Sequence, residues 1–251
     1  MPALIKRLIH SGLAKLGYRV VKLEKVFGES TTLGQFFSML KSRGFQPKHI
    51  IDVGANKGTW TRTAIGVFPD AEYTLIEPQD FLKTHVQDLI DSGHKIRWVN
   101  VGAGEAPGKL QFTLGVRDDS SSTFALTEKQ ARSLGLHQVL VEVRTLNEIL
   151  RTENLQPPDI LKIDAEGLDL QVLAGASELL GRTEVILVEA LIVGGRENTL
   201  TNVIQRMNEA GYHILDITDL NRSPKYGVLW LCELAFLKND SKLLDSVASY
   251  D

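Results

Sequence analysis

The chain has a single cysteine among 251 residues and no long apolar run. One cysteine, Cys232, excludes an intramolecular disulfide and fits a reducing compartment. The longest apolar run, Val185 to Val193, contains Glu189 and is too short to cross a bilayer. No signal-peptide pattern is visible, because charged residues interrupt the apolar positions near the N-terminus. These absences lead us to expect a cytoplasmic protein.

An excess of positive charge is also lacking, since the net charge is -3. We therefore expect no nucleic-acid partner. The charge is uneven, because residues 1–25 hold six lysines and arginines against one glutamate, and their apolar residues recur at helical spacing. Such a basic amphipathic helix suits peripheral contact with an anionic membrane at its inner face. It equally suits docking on its own domain or across a homo-oligomer interface.

Two familiar nucleotide-binding loops are absent. A dinucleotide-binding turn needs G-x-G-x-x-G, whereas Gly54 and Gly58 are separated by three residues. A Walker loop needs Ser or Thr after Gly-Lys, but Lys57 precedes Gly58. These two loops therefore give no sign of a site for the pyrophosphate of a dinucleotide or for the phosphates of a nucleoside triphosphate.

A glycine loop follows a buried strand at residues 50–58. The run Ile50 to Val53 is typical of a parallel strand, and Gly54 and Gly58 allow the main chain to approach a ligand. Glu77 ends the second predicted strand, where an acid can accept hydrogen bonds from two ribose hydroxyls. Taken singly, Asp52 could only cap a helix and the glycines could only form a turn. Together they favour a nucleoside ligand.

Four motifs in this order resemble the FkbM family of S-adenosylmethionine-dependent methyltransferases. They are Asp52-Val-Gly-Ala-Asn-Lys-Gly58, Glu77-Pro-Gln79, Leu161-Lys-Ile-Asp-Ala-Glu-Gly167 and Val172-Leu-Ala-Gly-Ala176. The resemblance runs from about residue 47 to residue 238. It implies S-adenosylmethionine as cofactor and methylation of a hydroxyl oxygen on a sugar, glycan or natural product. The cofactor-binding residues predicted on this basis are Asp52, Gly54, Ala55, Asn56, Gly58, Glu77, Pro78, Gly102 and Asp164.

The expected fold is α/β, because strand patterns at 49–54, 72–77 and 95–101 alternate with helix patterns at 59–67 and 80–91. Two further short strands are predicted at 109–114 and 139–144. The resemblance implies a Rossmann-like class I methyltransferase fold, with a seven-stranded, mostly parallel sheet and helices on both faces. An antiparallel hairpin is expected at the end, since no helix pattern separates the last two strands. We divide the chain into an N-terminal helical extension (1–46), a methyltransferase domain (47–240) with an inserted region at about 104–145, and a C-terminal tail (241–251).

Three acids are expected at the carboxyl ends of the central strands, where ligands of open α/β sheets bind. Asp164 and Glu166 follow one predicted strand, and Glu189 lies near the end of another. One of these catalytic candidates could take the proton of the acceptor hydroxyl, or Asp164 and Glu189 could hold a Mg²⁺ ion that acidifies it. His137 is an alternative base. Lys162 is expected to share a strand face with Asp164, and Trp60 is expected in the core.

Acceptor binding is assigned to the polar loop of the inserted region, with Ser121 and Ser122 as predicted substrate-binding residues. Two other function classes stay open. A nicotinamide-dependent sugar oxidoreductase would share the fold and the ribose-binding acid but should show the missing pyrophosphate turn. A non-catalytic nucleoside-binding protein would keep the loop and would need none of the three acids.

Overall fold

A computed structural model describes residues 31–114, 128–133, 135–193, 197–245 and 247 of the chain. The strands are β1 His49–Val53, β2 Glu72–Ile76, β3 Ile96–Val99, β4 Gly102–Ala103, β5 Gly108–Leu114, β6 His137–Arg144, β7 Ile160–Ile163, β8 Val185–Leu191, β9 Tyr212–Arg222 and β10 Leu229–Lys238. The α-helices are Thr32–Ser42, Thr59–Val67, Gln87–Asp91, Glu128–Ser133, Leu146–Thr152, Asp169–Ala174 and Leu200–Glu209, and Asp80–Val86 is a 3₁₀ helix.

The main sheet has seven strands within the described residues, in the order β3-β2-β1-β7-β8-β10-β9. All neighbouring pairs from β3 to β8 are parallel, and β10 is antiparallel to both β8 and β9. The predicted class I methyltransferase sheet and its closing antiparallel hairpin are confirmed. The strand order reverses direction between β1 and β7, which places the crevice for a ligand at the carboxyl ends of these two strands.

Two layers of apolar side chains cover the sheet, because successive strand residues point to opposite faces. Ile50 and Ile160 pack against Phe36 and Phe37 of the helix Thr32–Ser42, on the face that we call the front. Ile51, Leu161 and other alternate residues pack against helices on the opposite face. By the same alternation, Asp52 and Lys162 belong to the front face, and the parallel register pairs them directly. A charged pair therefore lies in the middle of a buried sheet.

The region between β3 and β7 forms a separate three-stranded sheet in the order β4-β6-β5. β5 and β6 are antiparallel, and β4 runs parallel to the last two residues of β6. The sequence predicted β5 and β6 but not the helix Glu128–Ser133 between them, nor the helix Asp169–Ala174. It also predicted one helix over 80–91, which the structure divides into a 3₁₀ helix and a short α-helix.

No helix within the described ranges combines the length and the apolar character needed to span a bilayer. The basic segment 1–25 lies outside the described residues, so its predicted membrane or docking role stays a prediction. The division of the chain into an extension, a domain and a tail likewise stays a prediction.

Candidate functional site

The crevice between β1 and β7 brings Gly54 against Asp164. Val53 and Ile163 are paired in the register, and the amide of Asp164 donates to the carbonyl of Val53 at 3.1 Å. Gly54 has φ +72°, and a Cβ there would collide with the main-chain carbonyl oxygen of Asp164. The left-handed angle and the collision both require glycine at this position. The loop after β1 therefore passes directly over the end of β7.

Glu77 holds this loop from the neighbouring strand. Its buried carboxylate accepts hydrogen bonds from the amide of Asn56 at 3.0 Å and from the amide of Gln79 at 3.0 Å. Burial raises the pKa of Glu77, although these two amide hydrogen bonds act to lower it. The side-chain amide of Gln79 also donates to Oε1 at 3.2 Å, so three of the four lone pairs are used and one on Oε2 can accept a hydrogen bond from a ligand.

A first cavity, of about 90 Å³, lies between these groups. Gly54, Asn56, Glu77, Pro78, Gly102 and Asp164 line it, and these are six of the nine predicted cofactor-binding residues. Leu110, Val141 and Val143 from the β5–β6 hairpin form an apolar wall. A cavity with carboxylates at one side and an apolar wall at the other offers a place for the sugar and the flat base of a nucleoside.

Asp52 does not line this cavity. It is fully buried, with its Oδ1 3.0 Å from Lys162 Nζ and its Oδ2 accepting a hydrogen bond from Thr61 at 2.5 Å. Lys162 also donates to the carbonyl of Gly54 at 3.0 Å and lies 3.4 Å from Asp164. Burial lowers the pKa of Lys162, but Asp52, Asp164 and Glu233 outweigh burial and raise it above its ordinary value. The buried pair of Asp52 and Lys162 thus holds the loop after β1, through Gly54, and the end of β7, through Asp164.

The loop after β7 is held in place by Asp169. This buried carboxylate accepts hydrogen bonds from the amides of Ala165 and Gly167 at 2.9 and 3.2 Å, and from the side-chain amide of Asn198 at 2.7 Å. Glu166 between them has φ +53°. A non-glycine residue in this left-handed region is strained, and Asp169 provides contacts that maintain it.

The acids around the crevice keep their protons to unusually high pH. Burial, followed by repulsion from Asp164 and Asp169, raises the pKa of Glu166 to about 8. Burial and repulsion from Asp164 raise the pKa of Asp169 to about 7. Burial, with repulsion from the same acids and Glu166, also raises the pKa of Glu189. Clustered acids with displaced pKa values are typical of functional sites.

Glu189 faces Glu233 across the β8–β10 pair and lines neither cavity described here. Glu233 is buried, accepts a hydrogen bond from Thr218 at 2.5 Å, and has a pKa raised by burial to about 7. The structure thus brings the predicted acids Asp164, Glu166 and Glu189 into one electrostatic cluster, because Asp164 raises the pKa of Glu166 and both of these acids raise the pKa of Glu189. Their catalytic roles stay predictions.

A second cavity, of about 730 Å³, opens on the front face of the same crevice. Its walls come from the start of the helix Thr32–Ser42, the loop after β1, the helix Thr59–Val67, the end of β7 and the β9–β10 hairpin. Gly54, Asn56 and Asp164 line both cavities. The side chain of Asp164 is 37% exposed. Asp164 therefore stands at the boundary where contents of the two cavities can meet.

Several predicted site residues have other positions. Ala55 lines only the second cavity, and Gly58 begins the helix Thr59–Val67 at φ +74°. His137 is exposed at the start of β6 and lines neither cavity. Ser121 and Ser122 lie outside the described residues. Trp60, expected in the core, packs against the core cluster of the front face but is half-buried and also lines the second cavity.

The predicted Mg²⁺ site finds no support. Among the described residues, no group of three or more His, Cys, Asp or Glu side chains is arranged to hold a metal ion. Hard divalent cations need several oxygen ligands converging at short distance. The cluster instead contains Lys162, whose ammonium group already lies beside Asp52 and Asp164.

Some site residues were not identified from the sequence. Asp169, Asn198, Thr218, Asp219 and Glu233 reach the site through loops or through the register of the terminal hairpin. Lys162, by contrast, could be found from the strand pattern, because it is a lysine within an apolar run, two residues before an acid.

The sheet order and the crevice define a class I methyltransferase fold. Residues 52–214 match the model of the methyltransferase FkbM domain, and the chain belongs to this family.

Two curated relatives are similar to part of the chain. The 2-O-methyltransferase NoeI of Sinorhizobium fredii is 23% identical over an alignment of 150 positions, which covers 56% of this chain and 62% of that protein. The methyltransferase sdnD of Sordaria araneosa is 27% identical over an alignment of 157 positions, which covers 51% of this chain and 60% of that protein. The matched part thus spans less than two thirds of either relative.

Among solved structures, the magnesium protoporphyrin IX methyltransferase ChlM of Synechocystis PCC 6803 with bound SAM is 10% identical, with a TM-score of 0.48. The alignment covers 88% of this chain and 86% of ChlM.

Proposed function

We propose that this chain is an S-adenosylmethionine-dependent methyltransferase that methylates a hydroxyl oxygen of a sugar, glycan or natural product. The observation that carries the proposal is the position of Asp164, a carboxylate shared by two cavities of which one has the polar groups for a nucleoside. Membership of the FkbM family supports methyl transfer. The name of NoeI, a 2-O-methyltransferase, supports oxygen as the methylated atom.

The residues of the first cavity fit the cofactor. Glu77 is placed to accept a hydrogen bond from a ribose hydroxyl, and Gly54 leaves the main chain free of a side chain where the ligand passes. The cavity volume of about 90 Å³ is below the roughly 300–1,000 Å³ of typical ligand sites. The cofactor therefore extends beyond this cavity toward Gly54, Asn56 and Asp164, which the second cavity shares.

Asp164 is the candidate base. When bound, the cofactor supplies a methyl carbon that its sulfonium has already made electrophilic. The protein then has to align the acceptor oxygen, exclude water and accept the hydroxyl proton. We assign the proton to a carboxylate oxygen of Asp164, which is half-exposed at the boundary, while Lys162 at 3.4 Å fixes its position. Glu166 and Glu189 have raised pKa values and serve as neighbouring acids.

Transfer of a labelled methyl group tests this function. The protein is incubated with S-adenosylmethionine labelled in its methyl group and with fractionated cell glycans, lipid-linked saccharides and small hydroxylated metabolites. We expect one fraction to gain a label that is stable to mild base, as an ether is. A protein that binds the cofactor yet labels no fraction would contradict the proposed activity. A parallel series with EDTA and with added Mg²⁺ tests the metal.

Peripheral membrane contact and self-association are also proposals. The basic pattern of residues 1–25 supports contact with anionic lipid. Deletion of residues 1–20 should reduce co-sedimentation with anionic vesicles. Unchanged sedimentation would contradict membrane contact, and a change in sedimentation velocity without vesicles would instead indicate an oligomer interface.

A further inference from the structure

Apart from the three residues that they share, the two cavities have different walls. Glu77, Pro78 and Gly102 line only the first cavity, whereas Trp60, Asp219 and Glu233 line only the second. At about 730 Å³ the second cavity has the size of a typical small-molecule site. Its described walls belong to the front face and to the β9–β10 hairpin, and none of the described residues of the inserted region, where the acceptor loop was predicted, lines it.

Thr218, Asp219 and Glu233 of β9 and β10 form one side of this cavity, which we call the far wall. Most of its polar groups are hydrogen-bond acceptors. Glu233 and Asp219 are directly paired in the β9–β10 register, and Thr218 donates to Glu233. Asp219 is exposed and already accepts hydrogen bonds from the amide of Leu220 and the side chain of Asn221. Because a carboxylate has about four lone-pair sites, Asp219 and Glu233 can each accept further hydrogen bonds.

Trp60 gives the same cavity an apolar side. Its ring is half-buried and makes an edge contact with Phe37 at 5.3 Å between centroids. Its indole N–H is buried and acts on Glu233 as a hydrogen-bond donor that lowers the pKa of that carboxyl, although the two groups make no hydrogen bond of regular geometry. The donor of Trp60 is thus directed at Glu233, and its ring offers the cavity an apolar surface.

The geometry points to the second cavity as the acceptor site, with Trp60, Asp219 and Glu233 as residues that determine specificity for a neutral or cationic acceptor rich in hydroxyl or amino donors. This inference rests on the proposed methyltransferase function, because Asp164 at the boundary is where acceptor and cofactor meet. The carboxylates of the far wall bind donors of the acceptor, and the Trp60 ring covers its apolar side.

Charge argues against an anionic acceptor. Asp164, Asp219 and Glu233 line the cavity together with Lys57 and Lys162. Lys162 is already engaged by Asp52 and by the carbonyl of Gly54. A phosphate or carboxylate on the acceptor would therefore meet like charge from Asp219, and from Glu233 in its ionised form, whose pKa is raised to about 7. Lys57 belongs to the loop after β1 and not to the wall formed by β9 and β10.

Binding of defined probes to the protein saturated with S-adenosylhomocysteine tests the inference. The probes are methyl α-D-glucopyranoside, D-glucosamine, D-glucuronate and D-glucose 6-phosphate, measured by saturation-transfer NMR and titration. We expect the neutral and cationic probes to bind, and the two anions to bind at least about tenfold more weakly. The variant Asp219→Asn should lose about tenfold in affinity for methyl α-D-glucopyranoside, since a charged hydrogen bond is lost.

Asp216→Asn is the matched control. Asp216 is exposed on the same strand and accepts from the next amide, as Asp219 does, but it does not line the cavity. It should bind the probes as the unaltered protein does, and both variants should keep their affinity for S-adenosylhomocysteine. Equal binding of the anions, unchanged binding by Asp219→Asn, or no binding of any probe would overturn the acceptor site. Failure to bind S-adenosylhomocysteine itself would instead overturn the proposed function.

Discussion

The main-chain carbonyl of Asp164 occupies the space that a side chain at Gly54 would need. This contact joins the loop after β1 to the end of β7 at the point where the strand order reverses. The loop that shapes the nucleoside side of the crevice and the carboxylate proposed as base are thereby fixed relative to each other. A disturbance at either residue should affect both.

Gly54→Ala should abolish measurable binding of S-adenosylhomocysteine, because the added methyl group must displace the end of β7. Gly93→Ala is the control, since Gly93 also has a left-handed φ, +86°, but has open space around its Cβ position. It should cost only about 1–2 kcal/mol of stability from the backbone angle and leave binding intact. Calorimetric titration and chemical denaturation measure both effects. Wild-type affinity in Gly54→Ala would contradict the assigned contact.

Glu77→Gln should weaken binding of S-adenosylhomocysteine about tenfold to a hundredfold, because a charged hydrogen bond to the ribose is replaced by a neutral one. The glutamine side chain keeps one oxygen that can accept a hydrogen bond from the backbone amide of Asn56 or Gln79, so the fold should survive. Glu72→Gln, an exposed position at the other end of β2, serves as control and should bind normally. Equal affinities in the two variants would remove Glu77 from the ribose site.

Asp164→Asn should lower kcat by about 100-fold to 10,000-fold if Asp164 accepts the hydroxyl proton. Affinity for S-adenosylhomocysteine should change only slightly, because the amide keeps the shape of the carboxylate. Single-turnover methyl transfer and calorimetry separate these quantities. Near-normal turnover would assign the base to another acid, with Glu233 as the first to examine.

Lys162→Met should destabilise the fold by about 3–5 kcal/mol, because it leaves the buried carboxylate of Asp52 without its cation. Adding Asp52→Asn should recover part of this loss, since the second change removes the uncompensated charge. A double-mutant cycle by urea denaturation measures the coupling. Additive losses in the double variant would show that the two side chains do not interact.

Stability should fall as the pH rises from about 4 to about 8. Burial raises the pKa of Glu166 to about 8, and of Asp169 and Glu233 to about 7, above the ordinary values of 4.5, 3.8 and 4.5 for these side chains. The folded state therefore keeps protons that the unfolded chain releases over this range, so the free energy of unfolding decreases with pH. Glu166→Gln should flatten the decrease, whereas the exposed Glu105→Gln should not. A slope of opposite sign would contradict the buried cluster.

The sequence predicted the parallel strands and the glycine loop after β1 well, because both follow from local patterns. Ile50 to Val53 is an apolar run before glycines, and Glu77 ends the next such run. The far wall of the second cavity could not be found in this way. Glu233 reaches Thr218 and Asp219 only through the long-range register of β9 and β10, which contains irregularities near Glu233. Asp169 likewise acts through Asn198, 29 residues away in the chain.

The most direct measurement is isothermal calorimetry of the purified protein with S-adenosylmethionine, S-adenosylhomocysteine and NAD. We predict saturable heat with the first two ligands and none with NAD, because Glu77 and the Gly54 loop fit an adenosyl group without a pyrophosphate turn. Absence of heat with both adenosyl ligands, or comparable binding of NAD, would contradict the account.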